Sequence, residues 1–128
     1  MTPRPGHIGI AQLEVTDKDT ALAIGSGDVP VLATPRLVAL CEEAAVNSVK
    51  NQLDEALTSV GLAVDMKHLS PTPIGASVRA EARLEAVDGR KLTFNIRAQS
   101  GKKEIARGRL VRVVVNRAQF LARATESD

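Results

Sequence analysis

The stretch VLATPRLVALCEEAAV, Val31–Val46, decides how the rest of the chain is read. It is apolar except for Arg36 and two adjacent acids, Glu42 and Glu43. Thr34 is predicted as the N-cap of a helix, with Pro35 suited to its first position, and the helix is expected to run to about Leu53. At about 100° per residue, Leu37, Leu40, Cys41, Ala44, Ala45 and Ser48 share one face, opposite Arg36, Glu43, Asn47 and Lys50. Glu43 is then an ordinary surface acid. Glu42 lies roughly 100° away from it, on the shoulder of the apolar face beside Val38, Ala45, Val46 and Val49. A carboxylate there pairs with a base, faces a cleft or meets a second subunit. On the helix alone, a simple boundary residue is the commonest meaning.

Outward from this helix the pattern is that of strands. Residues 8–15 and 20–24 (TALAI) are expected as short strands, with a turn at 26–30. On the other side TSVG at 58–61 is expected to break away before a strand at 62–68. Residues 76–86 (ASVRAEARLEA) alternate with period two, so Ala76, Val78, Ala80, Ala82, Leu84 and Ala86 point one way. Asp88-Gly89 is a hairpin turn, KLTFNIRA at 91–98 alternates again, and a last long strand is predicted at 104–115. Residues 1–7 are expected as a flexible arm and 117–128 as a C-terminal tail. Alanines dominate the inner face of 76–86, and small residues let a helix approach closely. The expected fold class is α+β: an antiparallel sheet of five or six strands wrapped around one long helix. Exposed edges on long strands invite pairing between two copies, so a homodimer is expected.

A chain of 128 residues suits a single domain, 1–128, and 44% hydrophobic with 25% charged residues suits a globular protein. No apolar run approaches the roughly 20 residues of a membrane helix, and the N-terminus lacks the apolar stretch of a signal peptide. The lone Cys41 forms no intrachain disulfide and is expected as a small buried hydrophobe. A cytoplasmic protein is expected, without membrane partner. A net charge of +2 with only two aromatics, Phe94 and Phe120, argues against nucleic acid. P-loop, dinucleotide and metal-ligand motifs are absent, as is the G-x-S-x-G elbow of serine hydrolases.

Two segments carry a more specific signal. Ala33–Glu42 reads A-T-P-x-L-V-x-L-x-E, and Val60–Gly75 reads V-G-x-x-V-x-x-x-H-x-x-x-T-P-x-G. Together with the alternating strands that follow, they resemble the fluoroacetyl-CoA thioesterase-like branch of the hot-dog thioesterases, over roughly residues 8–116. The resemblance implies a hot-dog fold and hydrolysis of a small acyl-CoA thioester, without metal or prosthetic group. It implies a catalytic set that falls on Thr34, Glu42 and His68, and a substrate-contacting glycine at Gly61. It selects the same glutamate as the helix phase. The fluoroacetyl-specific enzyme is similar to an aromatic-gated pocket, whereas GSGDVPVLAT ahead of the helix has no aromatic residue. The resemblance thus speaks for thioesterase more than for fluoroacetyl-CoA.

The chemistry is consistent with those residue types. Glu42 can act as base on water or as nucleophile, His68 can carry a proton near neutrality, and Thr34 offers a hydroxyl. Eight helical residues separate Thr34 from Glu42 by about 12 Å, so the two do not touch on one regular helix. The incoming chain folds back, His68 bridges them, or the partner subunit supplies one member. Arg79, Arg83, Arg97, Arg107, Arg109 and Arg112 are candidates for the CoA phosphates, although Glu81 and Glu85 interleave with them as on a solvated face. The alternative function is a non-catalytic hot-dog protein that binds acyl-CoA. A hydratase is disfavoured, since its Asp/His motif is missing.

Overall fold

The computed structural model describes residues 2–126. Five antiparallel strands, β1 (Ile8–Glu14), β2 (Leu57–His68), β3 (Ser77–Asp88), β4 (Lys91–Ser100) and β5 (Lys103–Asn116), form one sheet in the order β1-β3-β4-β5-β2. The long helix, α2 (Thr34–Val49), packs on its inner face, mainly against β1 and β3. The core is built as the alternation requires. Val78, Ala80, Ala82 and Leu84 of β3 and Leu92, Phe94, Ile96 and Ala98 of β4 are buried against Leu37, Leu40, Cys41, Ala44 and Ala45 of α2. Ala86 is the exception. The register slips between Leu84 and Ala86, and Ala86 turns out to solvent.

Close approach of helix and sheet depends on Gly9. A methyl group there would fall on the Ala44 carbonyl and the Ser48 amide of α2. The Asn47 side chain donates to the Ile10 carbonyl at 2.9 Å, and Ser48 Oγ donates to the His7 carbonyl at 3.2 Å, so β1 is clamped to the helix beside that glycine. Gly9→Ala must push β1 off the helix backbone. It is expected to cost about 3 kcal/mol and lower Tm by about 10 °C, measured by thermal denaturation. An unchanged Tm would show that the two elements are not held this tightly.

Four expectations are corrected. TALAI is no strand: a one-turn helix, α1 (Ala21–Ile24), follows Thr20, whose side chain accepts from the Ala23 amide, and ends at Gly25 with φ 88°. TSVG belongs to β2, which begins at Leu57 and bulges between Gly61 and Ala63. The helix stops at Val49 rather than Leu53. The segment expected as a tail holds a third helix, α3 (Arg117–Ala124), capped by the Asn116 side chain accepting from the Gln119 amide. The N-terminal arm is also fastened: the Gly6 amide donates to the Leu84 carbonyl at 2.7 Å and the Leu84 amide to the His7 carbonyl at 2.8 Å. No helix among the described residues is long and apolar enough to cross a membrane.

β1 and β2 are the sheet edges. Gly61–Asp65 of β2 is exposed throughout, and Leu62 and Val64 are 59% and 50% exposed.

Candidate active site

Thr34 is not the N-cap. Ala33 holds that position, and its carbonyl accepts from the Leu37 amide at 3.0 Å. Thr34 is the first helical residue, so its hydroxyl is free of capping. It meets His68 instead: Thr34 Oγ1 lies 2.8 Å from His68 Nδ1, with the proton on oxygen or on nitrogen according to the tautomer. His68 is the last residue of β2, and the chain then turns through Leu69–Pro71. Burial holds the imidazole pKa below its ordinary value, and the nearby Ser70 backbone opposes that shift in part. The ring is therefore neutral at pH 7. Its other nitrogen, Nε2, is buried and has no hydrogen-bond partner among the described residues. The pair opens on a cavity of about 390 Å³, walled by Val29, Leu32 and Leu69 with Asp28 among its lining residues.

Glu42 lies elsewhere. As the helix phase predicts, it is half-buried while Glu43 is exposed. It accepts from Arg112 Nη1 at 3.2 Å. Arg112 is 8% exposed and also donates to the Ser59 hydroxyl at 3.0 Å and the Ser59 carbonyl at 2.9 Å. Burial pulls its pKa down, and the Glu42 charge and hydrogen bond oppose that shift. A guanidinium does not lose its proton in proteins, so this is a buried cation dependent on its three acceptors. Gly61 closes the group: a Cβ there would stand 3.0 Å from Glu42 Oε2 and 3.8 Å from Arg112 Nη1.

The four sequence-predicted residues thus fall into two groups in one chain. Thr34 and His68 form one, Glu42 and Gly61 with Arg112 the other. The helix rise separates Thr34 from Glu42, and seven strand residues put Gly61 and His68 about 23 Å apart along β2. Arg112 is one of the bases that the sequence offers for the CoA phosphates. It faces inward, because its partner Gly61 and its alternation with buried Leu110 and Val114 place it on the helix side of the sheet. That alternation was the available signal. Arg83, Arg97, Arg107 and Arg109 line a 530 Å³ hollow on the opposite face that none of Thr34, Glu42, Gly61 or His68 lines. Arg79, Arg107 and Arg109 are engaged by Glu81, Glu104 and Glu85, exposed pairs that contribute little.

A curled five-stranded antiparallel sheet around one helix places the chain among the hot-dog proteins. Residues 15–118 match the family model of the fluoroacetyl-CoA-specific thioesterase, FlK, and the chain belongs to that family of thioester hydrolases. It is 33% identical over 96 residues to the fluoroacetyl-CoA thioesterase of Streptantibioticus cattleyicolor, covering 75% of this chain and 69% of the relative. A crystal structure of the fluoroacetyl-CoA thioesterase superposes with a TM-score of 0.90 at 27% identity, covering 98% of this chain and 97% of the other. A substituted form of that enzyme, TM-score 0.86 and 28% identical over 91% and 98% of the two chains, was crystallised with fluoroacetate and CoA. A hot-dog-like protein from Thermanaerovibrio acidaminovorans shares the fold, with TM-score 0.87 at 21% identity over 97% and 94%.

Proposed function

We propose that the chain hydrolyses a small acyl-CoA thioester, with Thr34, His68 and Glu42 as its catalytic set and Gly61 against the substrate. The observation that carries this reading is the 2.8 Å contact between Thr34 Oγ1 and His68 Nδ1 beside a cavity, in a chain of this family. A hydroxyl within hydrogen-bond reach of a neutral imidazole is an activated nucleophile. Thr34 Oγ1 attacks the thioester carbonyl while its proton passes to His68 Nδ1. The C–S bond breaks, the thiolate takes that proton, and the acyl group rests on Thr34. Water then attacks the ester, gives a proton to the same base, and releases the carboxylic acid and the threonine hydroxyl.

For Nδ1 to accept a proton, Nε2 must carry one. Glu42 stands apart from His68 within one chain, and a homodimer brings the two together. Gly61 and His68 pair across the sheet with Arg112 and Ala106, both buried, so both lie on the helix side of β2. Two copies of the free β2 edge, joined antiparallel about a two-fold near Val64, lay His68 of one copy beside Gly61 of the other. Glu42 of the partner subunit travels with that glycine. Exposed Leu62 and Val64 on the same edge support this pairing.

The test is thiol release from fluoroacetyl-, acetyl-, branched and aromatic acyl-CoAs. His68→Ala is expected to lower kcat about 10³-fold. In the wild type, kcat/KM should fall in acid, because the base works only when neutral. An unchanged kcat/KM down to about pH 4 would remove His68 from that role. Ligand-induced thermal stabilisation without release from any thioester would leave the chain an acyl-CoA binder.

A further inference from the structure

We propose that Asp19 is the positioning residue for Thr34, holding the chain on both sides of that hydroxyl; the proposal rests on the catalytic reading of Thr34. Its backbone carbonyl accepts from the amide of Ala33, the residue before Thr34, at 2.9 Å. Its carboxylate accepts from the Nε of Arg36, two residues after Thr34, at 3.0 Å. The remaining oxygen is occupied by Thr16, whose amide donates at 2.8 Å and hydroxyl at 3.0 Å. Asp19 is 8% exposed. Burial alone would raise its pKa, but the Thr16 amide, the Thr16 hydroxyl and the Arg36 guanidinium together bring it below 3.8, so the group is ionised at working pH.

A second set of contacts fixes the same frame relative to His68. The Leu32 amide donates to the Thr72 carbonyl at 2.9 Å, and Val31 bridges to Pro73, only a few residues past the histidine. Thr20, next to Asp19, bridges to Leu32. The segment before α2 is thus tied to the turn after β2, and Asp19 sets where along that tie the helix begins. Thr34 itself has no capping role to hold its rotamer, so its distance from Nδ1 depends on the backbone beneath it. A shift of about 1 Å lengthens the hydrogen bond beyond use, and misplacement of that size costs on the order of 10²-fold in rate.

Asp19→Asn tests this, since it keeps the shape and part of the Thr16 contact but removes the charge facing Arg36. Arg36→Gln, whose side chain is 29% exposed, breaks the same pair without altering the buried position. The readouts are kcat and KM for thiol release, and the ring ¹⁵N and ¹H resonances of His68 beside those of Thr34→Val. Asp19→Asn is expected to lower kcat about 10-fold with KM within about twofold. Its His68 resonances should move toward those of Thr34→Val, and Arg36→Gln should follow in the same sense. Unmoved resonances in both variants, whether or not Tm falls, would overturn the proposal, as would an unchanged kcat. The resonances need no substrate, so they decide the placement of Thr34 even in a chain that hydrolyses nothing.

Discussion

Glu42→Gln is expected to lower thiol release by about 10³-fold or more, seen in kcat rather than KM. Glutamine keeps the shape of the side chain and an oxygen for Arg112 Nη1, which lies 3.2 Å from the carboxylate. What it removes is the negative charge and the basicity. A loss of 10³ corresponds to about 4 kcal/mol of transition-state stabilisation. The effect on folding is much smaller. Arg112 loses a counter-ion but keeps the Ser59 hydroxyl and carbonyl, and the Glu42 side chain is 36% exposed. Solvent screening at that exposure holds the stability cost to about 1 kcal/mol, a few degrees in Tm. The two effects therefore separate cleanly at 25 °C. A variant within tenfold of wild-type activity would return Glu42 to a structural partner of Arg112. Glu42→Ala is the harsher substitution, because it leaves the buried guanidinium one acceptor short.

Mixed dimers of Glu42→Gln and His68→Ala chains are expected to recover about a quarter of wild-type activity, although each variant alone is inactive. Random association makes half of the dimers mixed. In each mixed dimer, one site combines the intact Glu42 of one chain with the intact His68 of the other, and the second site has neither. Complementation of this kind requires that Glu42 and His68 of one site come from different chains. The structure motivates it in two ways. Thr34–His68 and Glu42–Gly61–Arg112 are separate groups in one chain, and the free β2 edge between them carries exposed Leu62 and Val64. Refolding the two variants together from denaturant, then assaying thiol release against equal amounts of each alone, gives the result directly. Mixed dimers as inactive as their parents would mean that each site is built within one chain.

Much of the architecture was legible because it is periodic. The alternation in 91–98 put Leu92, Phe94, Ile96 and Ala98 inside, and all four are buried. The phase of α2 separated half-buried Glu42 from exposed Glu43. Where the reading failed, local chemistry outweighed hydrophobicity. TALAI is apolar enough for a strand, but Thr20 before it and Gly25 after it cap a single helical turn. Gly61 looked like a chain breaker, yet it sits within β2, where the missing side chain leaves room for the Glu42 carboxylate. RAQFLARA is polar enough for a tail, but Asn116 before it caps a helix.

The sequence by itself determined the strand–helix–strand order, the buried faces and the identity of Thr34, Glu42, Gly61 and His68 as candidates, since spacing and motif are one-dimensional properties. Only the tertiary structure decided which of them meet. Thr34 and His68 are 34 residues apart and touch because β2 runs back along α2, bringing its last residue to the start of the helix. The same antiparallel run carries Gly61 to Glu42 and turns Arg112 inward beneath both. Asp19 reaches the chain around Thr34 by the same means, across a loop whose sequence has no period to read. Contacts between distant segments follow from the curl of the sheet and the close packing that Gly9 allows, and neither is written in the pattern of any single segment.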